Sequence, residues 1–373
     1  MSFQEKNLKI AIDARILSLS TGRYVRQLLE KLQEVDKKNE YLVLLKRSDI
    51  NKWDSKSDNF SKVVSDYSIY SISEQLAFCI QLYKLNVDLV HFTMPQHPIF
   101  YLRKFVVTIH DLTLLTHKPL RSSNPLSELY SNFVKPAVFR LVLSSAIKKS
   151  DLIITPSLYV KNEIIKRFGT YSKKVTVTYE AADRLGVIGE PFENLVQEKY
   201  ILAVGNAYPH KNLKKLVRAM DTDSLKMKTL VISGKEDSFY KQLRDYANRK
   251  RITNVVFTGY VSDGQLEWLY QNASLYVFPS LSEGFGLPGL EAMSYGTPVA
   301  SSNATCLPEV YGDAAVYFDP TSVEDMARVI SETLSDKELL AKLRKAGPEH
   351  AKKFSWKKMA EETLEVYQKA LKR

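Results

Sequence analysis

Cysteine is scarce in this chain. Only two of the 373 residues are cysteines, Cys79 and Cys306, and neither belongs to a CxxC pair or a cysteine–histidine spacing. A disulfide framework and a structural zinc site are therefore not expected, and a reducing compartment fits. The chain also has no apolar run of about 18 residues and no signal-peptide core after Met1, so we expect a cytoplasmic protein without a membrane span.

Several motifs with well-defined chemistry are also missing. The sequence has no GxxxxGK[ST] phosphate loop, no GxSxG nucleophile elbow, and no helix-turn-helix, zinc-finger or RNP motif. His91, His97 and His110 follow one another at gaps of 6 and 13 residues, which match no metal-binding spacing. We therefore expect neither a bound metal nor a nucleic-acid partner, and nucleic-acid binding is kept only as a distant alternative.

Charge is unevenly distributed along the chain. The net charge is +11, with 28 Lys+Arg against 19 Asp+Glu in residues 1–190 and 25 against 23 in residues 191–373. A basic first half suggests an acidic partner, such as an anionic membrane surface, a phosphorylated substrate or nucleic acid. The alternative is that scattered surface lysines serve solubility. The hydrophobic content of 45% and charged content of 25% are typical of a globular protein.

Strand-like apolar runs alternate with helical patterns, six in each half. Most are continuously apolar, which indicates strands covered on both faces, as in parallel sheets. The runs are Leu8–Ala14, Tyr41–Leu45, Val87–Thr93, Phe105–Ile109, Leu152–Pro156, Val175–Tyr179, Tyr200–Val204, Thr229–Ser233, Val255–Tyr260, Leu275–Pro279, Val299–Ser302 and Ala315–Phe318.

The pattern predicts an α/β protein with two Rossmann-like, doubly wound parallel-sheet domains that face a cleft. We place the first domain at residues 1–187 and the second at residues 195–354. The linker is expected within Arg184–Asn194, which has two glycines, a proline and little periodicity. Residues 355–373 are expected to form an amphipathic C-terminal helix.

The stretch from Pro279 to Pro298 is the most informative part of the chain. It follows a strand-like run and contains a glycine-rich turn and then a short helical pattern. Pro288 suits the first helical position, and Gly296 suits the residue just past the helix end. Glu283 lies in the turn, and Glu291 lies about one turn into the helix.

A glycine turn before a helix can bind an anion through its unpaired backbone N–H groups and the helix dipole. Carboxylates beside a phosphate repel it, so they fit such a site only if they accept hydrogen bonds from hydroxyls next to the phosphate. Glu283 and Glu291 on either side of such a site therefore indicate a nucleotide sugar. The alternative is an ordinary strand–turn–helix with two solvated acids.

A second loop in the same half, Gly205–Asn212, also follows a strand and precedes a helix. Lys211 can reach a pyrophosphate as a point charge, and Asn206 and Asn212 can add neutral donors. The alternative is a surface loop with a solvated lysine. The Glu283–Glu291 turn in the same half of the chain favours the ligand site.

Two residues of the first half are candidates on weaker grounds. His110 follows the apolar run Phe105–Ile109, where it can donate to a sugar hydroxyl or move a proton near neutral pH. The alternative is a structural histidine with its own partners. Gly22 follows the first strand and would let the backbone approach a ligand closely, although one glycine is well short of GxGxxG.

Together these residues resemble the retaining glycosyltransferases of family 4, which have the GT-B fold. The pattern is most similar to the mannosyltransferase-like subgroup of surface-polysaccharide synthesis, and the resemblance covers nearly the whole chain. Its motifs are Ile12–Arg15, Thr21–Tyr24, Thr108–Asp111, Asp151–Ser157, Val204–Asn212, Gly259–Val261 and the E-x7-E signature Glu283–Glu291.

The resemblance implies a function for each matching position. The first domain would bind the acceptor and the second the donor, with the C-terminal helix crossing back onto the first. Glu283 would contact donor-sugar hydroxyls, Glu291 the ribose, and Lys211 the departing diphosphate. The full set of implied donor-binding residues is Gly22, Asn206, Lys211, Val261, Glu283, Gly284, Phe285, Gly286, Leu287 and Glu291, and the implied catalytic residues are His110, Glu283 and Lys211.

The resemblance also implies the substrates. A hexose, with GDP-mannose favoured and a UDP-sugar as the other donor, would pass to a hydroxyl of a glycan or lipid-linked acceptor, without a cofactor or metal. The enzyme would dock peripherally on anionic lipid at the inner face of the cell membrane. A nucleotide-sugar epimerase or a sugar phosphorylase on the same fold is the alternative. Asn206 stands where many members have arginine, and Glu180 begins a turn that more often contains Asn-Gly.

Overall fold

The computed structural model describes residues 7–19, 21–116, 135–170, 172–182, 184, 186–192, 195 and 199–373. Its contacts divide the chain into two units. The first runs up to Glu180 and includes Trp356–Arg373, and the second is Ala181–Ser355. Within the second unit, the Glu190 N–H donates to the Gly264 carbonyl at 3.0 Å, so this part of the expected linker is hydrogen-bonded to the second unit.

The first unit contains a parallel sheet of seven strands in the order β3-β2-β1-β4-β5-β6-β7. All residues of β4, β5 and β6 are buried, which explains the continuously apolar sequences of these strands. The strands are β1 Lys9–Asp13, β2 Glu40–Leu45, β3 Phe60–Val64, β4 Leu89–Phe92, β5 Phe105–Thr108, β6 Leu152–Thr155 and β7 Val175–Val177.

One strand of this sheet is missing from the sequence prediction. β3 lies at the edge, and only Phe60 of its five residues is buried. Its other four residues are partly or fully exposed, so the strand lacks the continuously apolar run that identifies the interior strands. The other strands of the first unit correspond to predicted runs.

Helices cover this sheet. The Glu74–Phe78 segment is a π-helical turn that leads directly into α2. The last helix packs against the first, and both lie in the first unit. The helices are α1 Gly22–Val35, α2 Cys79–Leu85, α3 Thr113–Thr116, α4 Lys135–Lys149, α5 Leu158–Phe168 and, at the C-terminus, Trp356–Lys372.

The second unit contains a parallel sheet of six strands in the order β10-β9-β8-β11-β12-β13. The order reverses between β8 and β11, and ligands of such sheets bind beyond the carboxyl ends of the strands at this switch point. All six strands were predicted. They are β8 Tyr200–Val204, β9 Thr229–Ser233, β10 Val255–Gly259, β11 Leu275–Phe278, β12 Val299–Ser302 and β13 Ala315–Phe318.

The helices of the second unit complete a doubly wound domain. Those that are described are α6 Leu213–Ala219, α7 Ser238–Arg249, α8 Asp263–Asn272, α9 Leu287–Ser294, α10 Leu307–Tyr311, α11 Val323–Ser335 and α12 Lys337–Ala351, and the C-terminal helix is α13. The prediction of two doubly wound parallel sheets is confirmed. Within the described ranges, no helix combines the length and apolarity needed to cross a membrane.

Candidate active site

The turn before α9 has the geometry that its glycines and prolines predict. Gly286 caps the helix with φ +102°, a conformation that favours glycine. Pro288 lies in the first turn, and the helix ends at Ser294. Gly296 follows with φ +77°, as expected for the residue just past a helix end. Because the turn follows β11, the start of α9 lies at the switch point of the second sheet.

Glu283 and Lys211 form an ion pair across two loops. The Lys211 Nζ lies 2.7 Å from the Glu283 Oε1, and the two side chains are 23% and 12% exposed. Lys211 comes from the loop after β8 and Glu283 from the loop after β11, so the sheet topology brings them together. The pair places a cation and a hydrogen-bond-accepting carboxylate side by side before α9.

The backbone of Glu283 is also anchored. Its N–H donates to the Thr305 Oγ1 at 3.2 Å, and its carbonyl accepts from the Cys306 Sγ at 3.3 Å. Thr305 has φ +57°, which is unusual for a β-branched residue and marks a strained loop. Sequence reasoning missed Thr305 and Cys306, because both lie after a different strand, β12.

Glu291 is buried in α9. Its Oε2 accepts a hydrogen bond from the Tyr270 hydroxyl at 2.8 Å. The Tyr270 ring stacks on Tyr295, with ring centroids 5.7 Å apart and planes 11° from parallel. A buried carboxylate needs such donors, because burial without them is costly. Glu291 is therefore not the solvated surface acid of the alternative interpretation.

Tyr311 packs beneath the start of α9. Its hydroxyl donates to the Gly286 carbonyl at 2.6 Å. A Cβ atom at Gly286 would lie 2.6 Å from this hydroxyl oxygen, and one at Gly289 would lie 2.3 Å from it. Sequence reasoning missed Tyr311. A signal was available in Gly289, because glycine inside a helix costs about 1 kcal/mol relative to alanine and therefore indicates that another group packs closely at that position.

We expect Gly289→Ala to destabilise the second unit by about 1–3 kcal/mol, because the added methyl group would overlap the Tyr311 ring. The melting temperature, measured by calorimetry, checks this. The control is the same substitution in a Tyr311→Ala background, where the ring is gone. If alanine at 289 costs as much in both backgrounds, the overlap with Tyr311 is not the cause.

The loop that carries Lys211 is fixed to its neighbours. The Asn212 amide donates to the carbonyls of Pro279 and Pro320, at 3.0 and 2.8 Å. Both of its protons are therefore used within the protein, and Asn212 is a structural residue, not the ligand donor that its sequence position suggested. The Leu281 N–H donates to the His210 carbonyl at 2.7 Å, which ties the two loops together. Asn206 lies ahead of this anchored part and is partly exposed.

Three glycines line the carboxyl ends of β8, β9 and β10. A Cβ atom added at Gly234 would lie only 2.1 Å from the Gly205 carbonyl oxygen, so the two backbones approach closely. The Gly234 N–H donates to the Gly259 carbonyl at 3.1 Å. Val261, two residues beyond Gly259, is buried. Gly234 was not singled out from the sequence, because one glycine after a strand is a common turn signal.

His110 lies in the first unit, between two acceptors. Its Nδ1 is 3.1 Å from the Glu180 Oε1, and its Nε2 is 3.0 Å from the Thr93 carbonyl. The His110 and Tyr24 rings contact each other edge to face, with their centroids 4.7 Å apart. Burial lowers the pKa of His110, but Glu180, the Thr93 carbonyl and Asp111 outweigh it, so the net shift is upward.

Gly22, the first residue of α1, allows a close approach within the protein. A Cβ at this position would lie 2.0 Å from the Leu17 carbonyl oxygen, so only glycine fits under the loop after β1. This packing accounts for the glycine without a ligand. Its predicted contact with the donor stays a prediction.

The other two histidines of this unit have partners of their own. His91 bonds to Thr108 and Tyr367, and His97 bonds to the Pro95 carbonyl and Ser145. Burial lowers the pKa of His91 to about 3 and that of His97 to about 4, so both are neutral near pH 7. In the part of the chain that the structure describes, no three His, Cys, Asp or Glu residues form a group able to hold a metal ion.

Family models match both units. Residues 21–184 match the model described as Glycosyltransferase Family 4, and residues 190–350 match the one described as Glycosyl transferases group 1. The O-antigen chain mannosyltransferase B of Escherichia coli is 32% identical over 290 residues, which are 72% of each chain. The chain belongs to glycosyltransferase family 4.

A second relative agrees with this membership, and solved structures share the fold. The O-antigen chain mannosyltransferase RfbU of Salmonella typhimurium is 29% identical over 227 residues, 60% of this chain and 59% of RfbU. Sucrose-phosphate synthase from Thermosynechococcus elongatus has the same fold, with a TM-score of 0.77 at 18% identity, covering 97% of this chain and 99% of that one. HepE of Anabaena, solved with UDP-glucose, has a TM-score of 0.73 at 16% identity, and the match covers 97% of this chain and 100% of HepE.

The comparisons settle the class of protein. The GT-B fold and the glycosyltransferase activity are confirmed, and the family match disfavours the epimerase, phosphorylase and nucleic-acid-binding alternatives. The structure brings Lys211, Glu283 and the start of α9 together within the second unit and places His110 in the first.

Proposed function

We propose that this family 4 glycosyltransferase moves a hexose, with mannose favoured, from a nucleoside-diphosphate sugar to a hydroxyl of a glycan or lipid-linked acceptor, with retention of configuration. The observation that carries this proposal is the Lys211–Glu283 pair before the start of α9. Relatives named as mannosyltransferases favour mannose and therefore GDP-mannose. A HepE structure that contains UDP-glucose supports the UDP-sugar alternative.

Donor binding would change the partners of the ion pair. In the structure, Glu283 balances the charge of Lys211. A bound diphosphate would give Lys211 a second anion, and the backbone N–H groups from Phe285 to Leu287 would hold the phosphates at the helix N-terminus. Glu283 could then accept hydrogen bonds from sugar hydroxyls.

The remaining donor contacts of the proposal rest on the family resemblance. Glu291, one turn into α9, would accept hydrogen bonds from the ribose hydroxyls, while Val261 and the glycines at the ends of β8 to β10 would face the nucleobase. Gly284 would give the turn its close approach to the sugar. Asn206 and Gly22 would add contacts at the edge of the donor.

In the reaction, the acceptor hydroxyl oxygen attacks the anomeric carbon, and the bond from that carbon to the diphosphate oxygen breaks. The bonding electrons leave with the diphosphate, whose oxygen takes the acceptor proton. Lys211 and the α9 dipole would stabilise the charge that develops on the leaving group, so this route needs no metal. We assign His110 to the acceptor side of the reaction.

A donor screen tests the proposal. GDP, UDP, ADP and their sugars are each added to the enzyme, and the melting temperature is recorded, because a ligand at 100 times its Kd stabilises the native state by about 2.7 kcal/mol. We expect GDP-mannose to give the largest shift. Release of nucleoside diphosphate should then require an acceptor glycan. Conversion of the donor to another nucleotide sugar without acceptor, or release of nucleoside diphosphate that depends on inorganic phosphate, would contradict a transferase of this type.

A peripheral membrane contact is part of the proposal, because a lipid-linked acceptor lies at a membrane surface. Leu76 and Ile80 lie one helical turn apart and are 57% and 56% exposed. Phe100 and Leu102 are also exposed, and their loop is hydrogen-bonded to the same helical segment through Gln75 and Tyr83. An exposed apolar face in a basic half is the combination that binds an anionic lipid surface.

We expect a Leu76→Glu and Ile80→Glu double variant to lose most of its binding to vesicles containing anionic lipid, since it removes apolar contacts and adds two negative charges. Co-sedimentation with vesicles of phosphatidylglycerol and phosphatidylcholine measures this. The matched control is Met227→Glu, at an 87% exposed position of the second unit. Equal binding by all three proteins, or no preference of the parent for anionic lipid, would rule out this face.

A further inference from the structure

The hydrogen bonds of His110 define where its protons lie. The Thr93 carbonyl can only accept, so the Nε2 at 3.0 Å from it carries a proton. The Nδ1 lies 3.1 Å from a Glu180 carboxyl oxygen. If that nitrogen and the carboxylate were both unprotonated, two sets of lone pairs would face each other. A proton must therefore lie between His110 and Glu180.

The charges around the ring place this proton on His110. Four titratable groups face it from different elements: Glu180 after β7, Asp111 after β5, His91 on β4 and Tyr24 on α1. His91 is neutral near pH 7, and burial raises the pKa of Tyr24, so Tyr24 is neutral too. The two carboxyl groups remain as charged neighbours, and both favour an imidazolium.

The pair is enclosed and rigidly placed. The side chains of His110 and Glu180 are only 11% and 8% exposed, so solvent screens their charges weakly. Tyr24, against the His110 ring, bonds to Thr108 at 3.0 Å, and Thr108 bonds to His91 at 2.8 Å. Turning the ring would break the bonds of both its nitrogens, one to Glu180 and one to the Thr93 carbonyl.

We propose that Glu180 is a positioning residue that keeps His110 as a fixed cation, with both ring N–H groups bonded inside the protein. His110 then acts in transfer through its positive charge and the position of its ring, and not by accepting the proton of the acceptor hydroxyl. This inference rests on the proposed function for its catalytic half only. The protonation state itself is a property of the first unit.

A nitrogen and proton NMR titration of the full chain, with isotope-labelled histidine, tests the protonation state directly. The signal of His110 is assigned by its loss in His110→Asn. At pH 7 the wild-type protein should show two protonated ring nitrogens, with a titration midpoint above the ordinary value of about 6.5. Glu180→Gln keeps the hydrogen-bond acceptor but removes the charge, and should lower the midpoint by about one pH unit or more.

Two outcomes would overturn this half of the proposal. One is a neutral His110 in the wild-type protein at pH 7, which needs no variant. The other is an unchanged midpoint in folded Glu180→Gln. The control, Glu190→Gln in the second unit, should leave the midpoint where it is.

The pH dependence of kcat/KM tests the catalytic half. If the cation is needed, activity falls as pH rises through the His110 midpoint, and the alkaline limb moves to lower pH in Glu180→Gln by the same amount as the NMR midpoint. In Glu180→Asp, which keeps the charge, the alkaline limb should lie between those of Glu180→Gln and the wild-type protein. An NMR midpoint that moves while the alkaline limb stays in place would show that the charge is not used. A wild-type protein without transferase activity would refute the proposed function, while the titration would still decide the ion pair.

Discussion

Replacing Lys211 with alanine is expected to slow transfer by about 10²-fold or more, or about 2.7 kcal/mol of transition-state stabilisation. Lys211 lies beside the start of α9, where the diphosphate is proposed to leave with its negative charge. Charge on the leaving group grows as the bond breaks, so kcat should fall more than KM rises. Steady-state kinetics with saturating donor and acceptor measure both constants.

The substitution also leaves Glu283 without its cation, so a control must separate the two effects. In Glu283→Gln with Lys211→Ala, no unpaired carboxylate remains near the phosphates. If the double variant recovers most of the activity, Lys211 acts chiefly by neutralising Glu283. If Lys211→Ala slows transfer by the same factor in the Glu283→Gln background as in the wild-type protein, Lys211 acts on the leaving group and not through Glu283. Lys214→Ala, at an exposed position three residues on, should be close to wild type.

The interior of the fold was predictable because burial on both faces leaves a simple sequence signal. β4, β5 and β6 are continuously apolar and fully buried, and their bounds differ from the prediction by one or two residues. β3 lacked this signal, since an edge strand with one buried residue has few positions that must be apolar. The start of α9 was predictable for a different reason: Gly286 and Pro288 are needed by the backbone itself.

The partners of the site residues were harder to predict, because they come from distant parts of the chain. Tyr311 and Thr305 contact the turn before α9 from beyond β12, and nothing in their local sequence shows it. Asn212 was assigned to the ligand because of its loop, whereas its amide bonds to two carbonyls of its own unit. In the sequence, Glu180 is notable only as a departure from the family pattern. Its bond to His110 cannot be predicted without knowing the order of the strands in the sheet.

Replacing Glu291 with alanine is expected to weaken nucleotide-sugar binding by about 10- to 100-fold, since a hydrogen bond to a charged group contributes about 1.5–3 kcal/mol. Glu291 is buried in α9 and is proposed to accept hydrogen bonds from the ribose hydroxyls. The change also removes the acceptor of the Tyr270 hydroxyl. Isothermal titration calorimetry with the nucleoside diphosphate gives the Kd.

Two controls make this result specific to the ribose. Tyr270→Phe removes one protein partner of Glu291 but leaves the carboxylate, so it should retain most of the nucleotide affinity. The 2′-deoxynucleotide should bind the wild-type protein more weakly than the ribonucleotide, and Glu291→Ala should bind both equally, because the group that distinguishes them is gone. If the variant still prefers the ribonucleotide by the wild-type ratio, Glu291 does not contact the 2′-hydroxyl, and the assignment of the ribose to the first turns of α9 is wrong.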